Sequence, residues 1–163
     1  MEIHMKKGII AVLATAAGGA IGATVVKKKD EKKINWQKKR IDKFYNYFQL
    51  VNQWLALKNE GKSLTTYFEK NGYQTIAIYG IGELGNRLVE ELKNSDITIK
   101  YTIDRKQDAA NTDLRVLSIE EAAEEAVDVI IVTPIFAYDE LEETLMEQLD
   151  YPVVSLEDVV YSI

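Results

Sequence analysis

Apolar positions along the chain change their period several times, and each change marks an element. Gly8 to Val26 is a run of nineteen residues without a charge, flanked by Lys6-Lys7 and by Lys27-Lys28-Lys29. A run of that length predicts a membrane-spanning helix, with a cleaved signal ending at Ala14-Thr-Ala16 or a buried helix as the alternatives. From Lys27 to about Lys58 a basic linker turns into a helix in which Ile34, Ile41, Phe44, Phe48, Val51 and Leu55 recur at heptad-like intervals. A second row adds Tyr47, Leu50, Trp54 and Leu57. An apolar arc that wide predicts burial, either against the adjoining domain or against a partner such as a second copy of the chain. Ser63 then caps a short helix from Leu64 to Lys70, which Gly72 stops.

Beyond Gly72 the pattern alternates between strand-like and helix-like stretches. Thr75 to Tyr79 and Ile97 to Ile103 are apolar runs on either side of a helix that places Ile81, Leu84, Leu88 and Leu92 on one face and ends near Asn94. Leu114 to Leu117 predicts a short strand, and Ser118-Ile-Glu-Glu121 is a capping box opening a helix to about Ala126. Val127 to Thr133 is apolar almost without alternation, as a strand buried on both faces must be, and Pro134 ends it. Asp139 to Leu149 repeats Leu141, Leu145 and Leu149, and Pro152-Val-Val154 gives a last strand before a terminal helical turn. Alternating strands and helices imply an α/β domain, a small doubly wound parallel sheet, preceded by a transmembrane helix and an amphipathic helix.

The candidate chemistry lies where the first strand ends. Gly80-Ile-Gly82-Glu-Leu-Gly85 follows a strand and opens a helix, the order of parts that a dinucleotide-binding turn needs. The first glycine permits the tight turn, the second lets a diphosphate approach the main chain, and the third lets the helix pack closely on its strand. Asp104 ends the next strand nineteen residues past Gly85, near the spacing of an acid that binds ribose hydroxyls. Thr133 ends the fourth strand beside the crevice where ligands of such sheets bind, and it is a candidate contact. Arg105 and Lys106 would offset the repulsion from Glu83 in the first helical turn and would accept a 2′-phosphate, so NADP is as reasonable as NAD. Two alternatives stay open: a tight turn needs glycine even without a ligand, and a strand-terminal Asp caps the following turn.

Composition narrows the chemistry. With no cysteine and with His4 as the one histidine, thiolate metal sites, cysteine nucleophiles and Ser-His-Asp hydrolysis are excluded from the folded part, and no metal site is expected. Charge is uneven: residues 1–43 carry +7 and residues 44–163 carry −13. The acidic part argues against nucleic acid as a partner. Lys and Arg are denser after the apolar run than before it, which predicts a single-pass membrane protein with its globular domain in the cytoplasm. The resulting organisation is an anchor over 1–26, a basic linker and amphipathic helix over 27–60, and a nucleotide-binding domain over 61–163.

Ile76-Ala-Ile-Tyr-Gly-Ile-Gly-Glu-Leu-Gly85 with Tyr101-Thr-Ile-Asp104 resembles the small Rossmann-type domain of bacterial surface-polysaccharide proteins, among them membrane-bound nucleotide-sugar dehydratases or epimerases and the amino-terminal domain of sugar acyltransferases. The resemblance covers about residues 73–158. It implies that Gly80, Gly82 and Gly85 form the phosphate turn, with Asp104 at the ribose or sugar edge. It further implies a nucleotide, NAD(P) or a nucleotide-sugar, as ligand, and a glycan-assembly protein or a second copy as partner. The Tyr-x-x-x-Lys pair of the dehydratases is missing, since Tyr101 is followed by Arg105, so no catalytic residue is assigned. The expectation is a binding module that assists or regulates polysaccharide assembly. The alternatives are an NAD(P)-dependent or sugar-modifying enzyme, and a ligand-free adaptor holding a partner at the membrane.

Overall fold

A computed structural model describes residues 32–104 and 114–163. The chain divides into two compact units, Met1–Tyr45 and Asn46–Ile163. Helix α1 covers 32–59 and supplies residues to both. In the first unit, Ile34, Trp36, Ile41 and Phe44 are exposed, and the Arg40 guanidinium lies 4.7 Å from the centre of the Trp36 ring. That cation–π contact orders one turn of α1 at its wet surface.

The second unit follows α1 with α2 (Thr65–Asn71), β1 (Thr75–Tyr79), α3 (Glu83–Leu92), β2 (Thr98–Ile103), β3 (Val116–Leu117), α4 (Ile119–Ala122), β4 (Val129–Val132), a 3₁₀ turn (Ile135–Ala137), α5 (Tyr138–Met146), β5 (Val153–Ser155) and α6 (Leu156–Tyr161). The strands form one five-stranded sheet in the order β3-β2-β1-β4-β5, with every pair parallel. Parallel strands need crossovers, and crossovers put helices on the faces, so the central strands are buried on both sides. The two-residue alternation then sorts their side chains. Ile76, Ile78, Val129 and Ile131 point into one core with Leu84, Leu88 and Val159, while Ala77, Tyr79, Ile130 and Val132 point into the other with Leu141 and Leu145.

Residues 46–59 of α1 belong to the first of these cores. Leu50, Trp54 and Leu57 are buried there and Tyr47 packs against them. Full burial of each such side chain contributes about 1.5–3 kcal/mol, so this row fixes the helix to the sheet. Lys58 pairs with Glu91 of α3, whose other oxygen accepts from Ser63 Oγ at 3.0 Å. The other apolar row has a different fate. Ile34, Ile41, Phe44, Phe48, Val51 and Leu55 are all exposed.

The expectation of a single-pass membrane protein with a cytoplasmic domain is corrected here: among the described residues no helix is long and apolar enough to cross a membrane. The longest helix fails on physical grounds. Lys32, Lys33, Lys38, Lys39, Arg40, Asp42 and Lys43 interrupt its first half, and the uncharged part from Phe44 to Leu57 is too short and carries Asn46, Gln49, Asn52 and Gln53. The apolar run from Gly8 to Val26 lies outside the described residues.

Helix α4 is shorter than the sequence predicts. Its capping box forms, with the Glu121 N–H donating to Ser118 Oγ at 3.2 Å and the Ser118 N–H donating to the Glu121 carboxylate at 2.7 Å. Past Ala122 the main chain tightens, with Glu124 N–H donating to the Glu121 carbonyl and Glu125 N–H to that of Ala122, and the Tyr101 hydroxyl, rising from β2, donates to the Glu125 carbonyl at 2.8 Å. Burial pushes the Tyr101 phenol up to about 12, so it stays a donor throughout the neutral range.

Candidate functional site

The turn between β1 and α3 is built on glycines for two separate reasons. Gly80 has φ of 88°, a left-handed conformation that side chains rarely adopt. A Cβ there would also sit 2.9 Å from Cγ and Cδ of Pro134. Gly85 meets a sharper limit, because a Cβ on it would stand 2.2 Å from the Gly80 carbonyl oxygen. The first turn of α3 is thereby pressed onto the end of β1. Gly82 differs from both. It is exposed and extended, and a Cβ there would meet nothing within 4 Å.

Three polar side chains converge on this turn. The Asp104 carboxylate, at the end of β2, accepts the Ile81 N–H at 3.1 Å. Thr133, buried at the end of β4, donates its hydroxyl to the Gly80 carbonyl at 2.7 Å, and its N–H donates to the Tyr79 carbonyl at 3.0 Å. Asn86, from the first turn of α3, donates Nδ2 to the Ile81 carbonyl at 3.4 Å. The sheet itself contributes the Gly80 N–H, which donates to the Ile103 carbonyl at 2.8 Å. The ends of β1, β2 and β4 are in this way tied together at one point.

That point is the floor of a cleft. A cavity of about 320 Å³ is lined by Tyr79, Gly80, Asp104, Pro134, Phe136, Ala137, Glu140 and Leu141. It lies at the carboxyl ends of β1 and β4, the neighbours between which the strand order reverses, and open parallel sheets bind their ligands there. One wall is apolar, formed by Pro134, Phe136 and Leu141, and two carboxylates, Asp104 and Glu140, supply the polar edge. Phe136 is half exposed, with its ring centre 6.1 Å from that of Tyr47 on α1. Helix α3 starts at Glu83, next to Gly82, with no side-chain hydrogen bond capping its first turn.

Of the residues singled out from sequence, Gly80, Gly82, Gly85, Asp104 and Thr133 all meet at this turn. Thr133 spends its hydroxyl on the turn itself. Arg105 lies outside the described residues. Sequence alone missed Phe136 and Glu140. The signal was there in weak form: Pro134 ends β4 at the crevice, and the residues after it must line the same opening. Among the described residues no group of three or more His, Asp or Glu could hold a metal ion.

Residues 72–154, which carry the glycine turn, Asp104 and the cleft, match the family described as C2185-like, N-terminal. No curated protein and no solved structure matches the chain.

Proposed function

The chain belongs to the C2185-like, N-terminal family, and from the geometry of its crevice we propose a Rossmann-type, doubly wound module that binds a nucleotide, either NAD(P) or a nucleotide-sugar, and assists or regulates surface-polysaccharide assembly. One observation carries it: the Asp104 carboxylate and the Gly80–Gly85 turn are joined by a direct hydrogen bond where both line the cleft. A diphosphate fits the uncapped first turn of α3, where N–H groups and the helix dipole attract an anion and Gly82 leaves the approach open. Ribose hydroxyls fit Asp104 and Glu140, and a base fits the wall of Pro134, Phe136 and Leu141. At about 320 Å³ the cleft is at the small end of ligand sites, the size of one nucleoside rather than a whole dinucleotide. Calorimetric titration of the full chain with NAD, NADP and UDP-sugars tests the proposal: saturable heat with one of them supports it, and no heat from folded protein with any of them rejects it.

A second proposal, a ligand-free adaptor, draws on the internal bonds of the turn. Thr133 and Asn86 brace the Gly80 and Ile81 carbonyls without help from a ligand, and Glu83 places a carboxylate where a phosphate would sit. On this proposal the nucleotide panel gives no heat and function resides in protein contacts.

A further inference from the structure

The 3₁₀ turn that follows β4 sends consecutive side chains to different places. Ile135 is buried in the core that also holds Leu50, Trp54 and Leu57 of α1, Ala137 packs against the core on the other face of the sheet, and Phe136 between them is half exposed at the cleft. Two main-chain bonds tighten the turn, from the Ile135 N–H to the Thr133 carbonyl at 2.8 Å and from the Ala137 N–H to the Pro134 carbonyl at 2.9 Å. The backbone is therefore fixed on both sides of Phe136, and the direction of its ring is left to the side chains around it. Tyr47 is one of these. It lies on α1 one turn before Leu50, packs against the same core and does not line the cleft. Its ring centre stands 6.1 Å from that of Phe136 with the planes tilted by 53°, a spacing at which aromatic pairs attract.

We propose, on the nucleotide reading of the cleft, that Tyr47 is a positioning residue of the site: without touching the ligand, it holds the Phe136 ring as a platform for the base. A half-exposed phenylalanine beside an opening has several rotamers in water, and a ligand that needs one of them must bear the cost of selecting it. Contact with Tyr47 selects it beforehand. Tyr47 is itself anchored, because Leu50, Trp54 and Leu57 fix its part of the helix to the sheet. The base then meets a ring already in place, beside Pro134 and Leu141. The Tyr47 hydroxyl has no part in this; the ring alone is needed. By reciprocity the base also steadies Phe136 on Tyr47, so occupancy of the cleft is felt along residues 46–57 of α1.

The test is calorimetric titration of the full chain with NAD, NADP and UDP-sugars, for wild type, Tyr47→Phe, Tyr47→Leu, Phe136→Leu and the double variant of Tyr47→Leu with Phe136→Leu, each with the circular dichroism of wild type. Tyr47→Phe is expected to bind as wild type does, whereas Tyr47→Leu loses about fivefold in affinity and Phe136→Leu about tenfold, as the base loses its aromatic platform. The double variant is expected to bind no more weakly than Phe136→Leu, because Tyr47 acts only through Phe136. Undiminished binding by Tyr47→Leu, or a loss that persists when position 136 is already leucine, overturns the proposal and leaves the nucleotide reading standing. No heat from folded wild type with any of these ligands rejects that reading, and the role of Tyr47 with it. Hydrogen exchange in wild type depends on no variant: amides of residues 46–57 are expected to exchange more slowly at saturating nucleotide, and unchanged exchange overturns the proposal.

Discussion

At the amino edge of the sheet, Asp128 gathers three donors onto one oxygen: the N–H of Gln74 at 2.8 Å, the N–H of Thr75 at 2.7 Å and the Thr75 hydroxyl at 2.9 Å. At the carboxyl edge, Asp104 accepts a longer bond, from the Ile81 N–H at 3.1 Å, and lines the cleft. The residue type and the partner, a strand-end main chain, are the same, but the surroundings differ. Asp128 fastens β1 to the start of β4. Asp104 stands next to a turn with glycine at positions 80, 82 and 85, beside an opening of about 320 Å³. Of the two aspartates at strand ends, Asp128 ties main chain to main chain, and Asp104 also lines an opening.

The comparison breaks most visibly at the two packed glycines. Gly85→Ala drives a methyl group into the Gly80 carbonyl and is expected to cost about 3 kcal/mol, with Gly80→Ala somewhat less at about 2 kcal/mol, since its Cβ would meet the Pro134 ring at 2.9 Å rather than a main-chain oxygen at 2.2 Å. Urea unfolding checks both. Wild-type stability in Gly85→Ala would show that the close contact of α3 with β1 is not a constraint on the fold.

At the other edge, Asp128→Asn is expected to cost about 1 kcal/mol, the low end for bonds to a charged group because the site is exposed. The main-chain N–H of Thr75, followed by that of Gln74 and the Thr75 hydroxyl, holds the Asp128 carboxyl below its ordinary value. A lowered value means that the ionised form favours the folded state. This contribution is complete above the ordinary carboxylate value and disappears as pH falls through the lowered one. The stability gap between wild type and Asp128→Asn should therefore close on acidification. A gap that widens below pH 4 would contradict the assignment.

Asp104→Asn is expected to be milder for folding, below about 1 kcal/mol, because an amide oxygen still accepts from Ile81. Nucleotide affinity is where it should tell, with a loss of about tenfold as a charge-assisted contact to ribose becomes a neutral one. Equal affinity in the variant would remove Asp104 from the site and leave it a clamp like Asp128.

Much of this architecture was legible in the chain. Strand β1 falls on the predicted residues, Thr75–Tyr79, and the capping box of α4 forms as its Ser118 and Glu121 require. Both depend on local pattern alone. What was not legible depends on distant partners. The turn after α4 is held by the Tyr101 hydroxyl from another strand, and the Thr133 hydroxyl donates to the Gly80 carbonyl. The two rows of α1 are equally apolar in sequence, and only the placement of the sheet decides that Leu50, Trp54 and Leu57 are covered while Phe48, Val51 and Leu55 are not. The 3₁₀ turn that carries Phe136 to the cleft has no periodicity to announce it.

Gly82 gives the smallest expected change in stability and the most direct test of the nucleotide proposal. Its conformation is open to other residues and a methyl group there meets no atom of the protein, so Gly82→Ala should unfold within about 1 kcal/mol of wild type. A diphosphate on the first turn of α3 would meet that methyl group. Titrated side by side in a calorimeter, wild type should bind its nucleotide and Gly82→Ala, equally folded, should lose at least about tenfold in affinity. Undiminished binding by Gly82→Ala would contradict the account.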